Sequence, residues 1–170
     1  MTGKSRYILF RFGLVCIVFL LIVVEFPACR HRPDGAELIN AKASIPASFH
    51  FDELGLRVIS SEISHRDSTL STLYGNDAAR TTVLMNSGLH SKGELFAFVT
   101  WKQQPDEKWF GAIVPAELKT VELVRIISGA AADGIKYQRF AGKDLVLDRD
   151  ILGNQDRIKY ILNQKPTVLP

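Results

Sequence analysis

The sequence predicts an α+β domain, a mainly antiparallel β-sheet with short flanking helices, preceded by an N-terminal hydrophobic helix. Three features carry that prediction. Short segments rich in β-branched and aromatic residues recur between positions 57 and 140, joined by connections of hairpin length that favour antiparallel pairing. Strand patterns outnumber helical ones, which are confined to two capped stretches. A basic start runs into an uninterrupted apolar segment from Phe12 to Val24.

That apolar segment has 13 residues, the length of a signal-peptide core and short for a full membrane span. Extended back through Arg11 to Tyr7 it reaches 18, enough to cross if the arginine snorkels to the headgroups. Lys4, Arg6 and Arg11 favour an N-terminus left in the cytoplasm, so the chain beyond position 30 is expected in the periplasm or at the cell exterior. Three fates stay open for residues 1–29. The segment can remain as a signal anchor, be cleaved as a signal peptide, or be cleaved before Cys29 and lipidated there. Ala28-Cys29 suits lipidation, whereas Phe26 and Pro27 fit poorly at the earlier positions. All three give a membrane or export signal. Cys16 and Cys29 are the only cysteines, so the exported part has no disulfide framework, thiolate nucleophile or cysteine metal site.

Residues 30–48 mix basic, small and polar side chains around Pro33, Gly35 and Pro46 and read as a tether. The folded domain is expected over 49–170. Arg57 to Ser64 and Thr69 to Tyr74 are strands joined by the polar loop His65–Ser68, with Gly75 ending the second. Asn76 and Asp77 cap a short helix that carries Val83 and Leu84, broken at Asn86-Ser87-Gly88. Glu94 to Lys102 is the central strand, and its apolar residues occupy both parities, which predicts burial on two faces. Thr120 to Ile127 and Ile135 to Phe140 are further strands. Asn154 caps a last helix with Ile158, Ile161 and Leu162 on one face, stopped by Pro166.

Charge excludes one class of function. Of the 21 basic side chains three precede the apolar run, and Glu25 ends it, so 18 basic and 17 acidic residues follow position 29. A nearly neutral domain without a basic stripe is not a nucleic-acid binder. No nucleotide-binding or hydrolase fingerprint occurs either.

The segments Ser60–His65 and Thr69–Ala79, with Gly75-Asn76-Asp77 within the second, resemble the cytochrome P-460 domain family. Lys92–Leu95 running into Val99–Gln104 is similar to that family's central strand. Trp109-Phe110-Gly111-Ala112, Val114-Pro115 and Val121–Val124 are similar to the stretch after it. The likeness covers about residues 57–170 and is weakest over 128–150. It implies an exported, mainly antiparallel β domain, often a homodimer. In members with heme it implies a c-type heme near the C-terminus, attached through Cys-x-x-Cys-His, that serves hydroxylamine oxidation or nitric oxide binding. In some a lysine cross-links to the macrocycle. Here Asp144–Pro170 holds neither cysteine nor histidine, so covalent attachment and its axial ligand are both missing. The expected function is a membrane-tethered, outward-facing domain of this type without covalent heme, binding a small ligand or a protein partner. The alternative is an oxidoreductase, or a nitric oxide or hydroxylamine handler, that holds heme non-covalently through His65 or a lysine.

Five residues are candidates for chemistry. His65 lies beside Asp67, which can orient its ring toward a heme or metal, although loops often carry such histidines without chemistry. Trp101, Trp109 and Phe110 can stack on a planar ligand, against the commoner reading of large aromatics as core. Cys29 is the lipidation candidate. No metal site and no resident cofactor are expected. His90, in Leu-His-Ser-Lys, is read as bland, and the adjacent carboxylates Asp106 and Glu107 diverge across a turn rather than forming an acid–base pair.

Overall fold

The computed structural model describes residues 39–128, 134–149 and 154–166. The hydrophobic run, Cys29 and residues 30–38 of the tether lie outside them. No helix among the described residues is long and apolar enough to cross a membrane.

Six strands form one antiparallel sheet in chain order: β1 (Arg57–Ser64), β2 (Thr69–Gly75), β3 (Leu95–Pro105), β4 (Ile113–Ile126), β5 (Ile135–Ala141) and β6 (Val146–Leu147). Among the described residues two α-helices accompany it, α1 (Asp77–Leu84) and α2 (Asn154–Leu162). The mainly antiparallel α+β architecture is therefore as expected. β4 is longer than anticipated, because it pairs with β3 along an extended hairpin as far as Pro105 and Ile113. β6 was not anticipated; it is a two-residue edge whose valine and leucine stay exposed.

Asn76 caps α1 by accepting a hydrogen bond from the Ala79 amide at 3.0 Å. The same residue donates to the Gly93 carbonyl at 2.8 Å, tying the helix start to the entry of β3. Gly75 is required for close approach. A Cβ there would stand 2.6 Å from the Ile59 Cδ1 and 3.0 Å from the Ala79 Cβ.

β3 is buried on both faces, as its apolar parities predicted. On one face Phe96 and Phe98 join Leu73, Val124 and Ile126 beneath Ala79 and Val83 of α1 and Ile158 and Ile161 of α2. On the other, Val99 and Trp101 pack with Leu118, Val121 and Leu145, and Ala43, Ile45, Phe49 and Phe51 close over them. Residues 39–48, assigned to the tether from the sequence, thus include part of the domain's cover. Asn40 donates to the Pro115 carbonyl at 2.9 Å, and the Leu118 amide to the Lys42 carbonyl at 2.9 Å. Phe49 ends a short 3-10 turn, Ala47–Phe49, and Phe51 stands immediately before a second, Asp52–Leu54.

Candidate functional site

The helix-side face of the sheet changes character part-way along its strands. Cross-strand neighbours Leu73, Phe98 and Glu122 form one row, and Ser71, Thr100 and Thr120 form the next. Because side chains alternate faces, residues two apart stand on the same side. The apolar series Leu73, Phe98 and Val124 therefore gives way on the same face to Ser71 and Thr69, Thr100, and Glu122 and Thr120. The helices cover the apolar half. The polar half is left as a cavity of about 440 Å³ under the side of α2 that carries Asn154, Arg157 and Tyr160.

The cavity floor is a ladder of hydroxyls. Thr69, Ser71, Thr100 and Thr120 are all buried. The Ser71 hydroxyl donates to Thr100 Oγ1 at 3.2 Å. Among the described residues the hydroxyls of Thr69 and Thr120 have no side-chain partner, and both residues line the cavity. Lys119 reaches it through a β-bulge: the register passes from Thr100 opposite Thr120 to Trp101 opposite Leu118, leaving Lys119 the extra residue. Asp67, held by the Ser64 hydroxyl at 2.9 Å, contributes from the β1–β2 turn.

Charge at the back wall is paired. Glu122 is 2% exposed, and Arg157 grips it with two bonds, Nε to Oε1 at 2.8 Å and Nη2 to Oε2 at 2.7 Å. This is the fork geometry in which a guanidinium holds a carboxylate most firmly. The Arg157 guanidinium also stands 4.9 Å from the ring centres of both Phe98 and Tyr160. The Tyr137 hydroxyl donates to Glu122 as well, and that of Tyr160 to Glu62. Burial, reinforced by its glutamate, pushes the Tyr160 phenol up to about 12, and the Tyr137 phenol is raised further for the same two reasons. Both phenols therefore stay protonated and act as donors.

The expected site residues are not brought together. Trp101 is 8% exposed, belongs to the opposite core, and donates its indole N–H to the Ala43 carbonyl at 2.7 Å. Trp109 and Phe110 protrude from the tip of the β3–β4 hairpin, 71% and 110% exposed. His65 is exposed in the β1–β2 turn and does not line the cavity, although its neighbours Ser64 and Asp67 do. No family model matches the chain, and no curated protein sequence matches it.

The cavity does not fit heme. Its lining has no histidine, cysteine or methionine, the usual axial ligands beside tyrosine. Tyr137 and Tyr160 are committed to glutamates as protonated donors. Among the described residues no group of three or more His, Cys, Asp or Glu side chains could hold a metal ion.

His90 has more partners than its sequence context suggested. Its Nδ1 lies 2.7 Å from Glu94, a wholly buried carboxylate that also accepts from the Thr82 hydroxyl at 2.6 Å and the Ser91 amide at 2.8 Å. This knot ties α1 to the start of β3.

Proposed function

We propose that the domain is a binding module for a small polar ligand, of cytochrome P-460 type without covalent heme, tethered to a membrane and facing outward. The observation that carries the ligand reading is the row of hydroxyls on the cavity floor, where those of Thr69 and Thr120 have no side-chain partner among the described residues. Thr69 and Thr120 line a space of about 440 Å³, within the usual range of ligand sites, where their hydroxyls can bond a bound molecule. Ligand sites are mostly apolar-lined. This one is lined by hydroxyls, carboxylates and cations, so its occupant is a hydrogen-bonding molecule, held with water at its edges.

The family reading rests on the sequence likeness of residues 57–170, with the antiparallel sheet in agreement. The outward, membrane-tethered reading rests on the apolar run Phe12–Val24 and its basic flank. Nothing in the cavity favours the heme-dependent alternative.

Thr120→Val tests the ligand reading. Valine keeps the shape and removes a hydroxyl that bonds no other side chain, so the fold should be as stable as the parent's. A small polar compound found by saturation-transfer NMR on the full-length chain should lose about tenfold in affinity in that variant, about 1.4 kcal/mol. Unchanged affinities across such compounds would refute it.

A further inference from the structure

The β3–β4 hairpin ends in a loop whose backbone is fixed while its two largest side chains are left out. Asp106 accepts through Oδ1 from the amides of Lys108 at 2.7 Å and Trp109 at 3.1 Å. Its own amide donates to the Ala112 carbonyl at 2.9 Å, and the Ala112 amide donates back to Trp109 at 3.1 Å. Gly111, at φ 81°, supplies the left-handed residue that closes the turn. Packing thus gives Trp109 and Phe110 no cover, while hydrogen bonds hold them in place.

We propose that this tip is a lipid-interface anchor, in which Trp109 and Phe110 enter the headgroup region of the membrane that carries the N-terminal apolar run. The proposal rests on reading that run as membrane-embedded. Three observations favour a bilayer over a protein as the occupant. The two rings offer roughly 300–500 Å² together, well short of the ~800 Å² per partner that a stable protein interface needs. A bilayer surface needs no such area, since single aromatic side chains settle at the headgroup level. The folded domain begins on the same hairpin, where Asn40 is bonded to Pro115, two residues from the last paired position Ile113. The 15 residues from Val24 to Ile39 reach at most about 50 Å, so the domain stays within that distance of the bilayer. Beside the rings, Lys108 and Glu107 offset one another and Asp106 is committed to the loop. Seating therefore depends on the rings and not on anionic lipid.

The test uses the full-length chain in phosphatidylcholine vesicles, with and without bromine on the acyl chains. Trp101, buried against Ala43, serves as the internal reference, because the chain has only two tryptophans. The expected result is that the protein floats with the vesicles and bromolipid quenches about half of its tryptophan emission. That quenching should be absent in Trp109→Phe and unchanged when phosphatidylglycerol is added. Flotation with equal emission in both lipids would overturn the anchor and leave the tether standing. Blue-shifted but unquenched Trp109 emission, with a dimer on sedimentation in detergent, would assign the tip to a second copy and also overturn it. Failure of the wild-type chain to float would overturn both the tether and the anchor.

Discussion

Arg157→Met isolates the pair on which the back wall of the cavity depends. Methionine keeps much of the side-chain volume and the contact with Phe98, but removes both bonds to Glu122. Among the described residues Glu122 then keeps Tyr137 as its remaining side-chain donor, at a site 2% exposed. Breaking a buried ion pair by deleting one partner costs about 3–5 kcal/mol, most of it from the charge left behind. The Arg157 side chain is 37% exposed, so water can reach the gap, and the lower end, about 3 kcal/mol, is expected. For a domain of this size each kcal/mol is about 3–4 °C, which gives a fall in Tm near 10 °C by circular dichroism. Glu122→Gln added to Arg157→Met should recover part of that loss, because glutamine still accepts from Tyr137 and carries no charge. A loss below about 1 kcal/mol, the range of exposed pairs, or no recovery in the double variant, would refute this account of the pair.

Three further outcomes follow from named contacts. Gly75→Ala should lower stability by about 1–3 kcal/mol in urea titration, since the new methyl overlaps Ile59 and Ala79; an unchanged midpoint would mean that Ile59 moves aside freely. Asn76→Ala should cost about 1–2 kcal/mol, through the lost cap and the lost bond to Gly93, where Asn76→Asp should retain the cap. The third concerns alkaline pH. Tyr160 is pushed up to about 12 from an ordinary value of 10.0, so between those values the unfolded chain has lost a proton that the folded chain keeps. Stability therefore falls as pH rises from 10 toward 12. Tyr160→Phe should make that fall shallower, leaving the share due to the likewise raised Tyr137, and an equally steep fall in the variant would contradict the assignment.

The fold was legible where a single segment carries its own signal. Asn76 as a cap, the two-faced burial of β3 and the apolar side of α2 all depend on residues near one another in the chain. The cover of the second face was not, because Ile45, Phe49 and Phe51 are spaced among alanine, serine and proline without a helical or strand period. The cavity was hidden for a different reason. Its floor takes one or two residues from each of several strands, and Ser71, Thr100 and Thr120 become neighbours only once the register is known. A partial signal was present: Glu122 has the same parity as the apolar Val124 and Ile126, and a lone carboxylate at an inward position calls for a buried partner. Tryptophan content pointed elsewhere, since Trp101 fills the core and Trp109 stands at a hairpin tip.

Threonine methyl NMR tests the central claim, that the hydroxyl-lined cavity is the ligand site. Thr69, Thr100 and Thr120 line it. Thr72 pairs with Ser61 through its hydroxyl on the far face, and Thr81 is bonded within α1. Titration of a polar ligand into the threonine-labelled chain should shift the first three methyls together, with one saturation curve, and leave Thr72 and Thr81 still. Shifts centred on Thr72 or Thr81, with the floor methyls unmoved, would contradict the account.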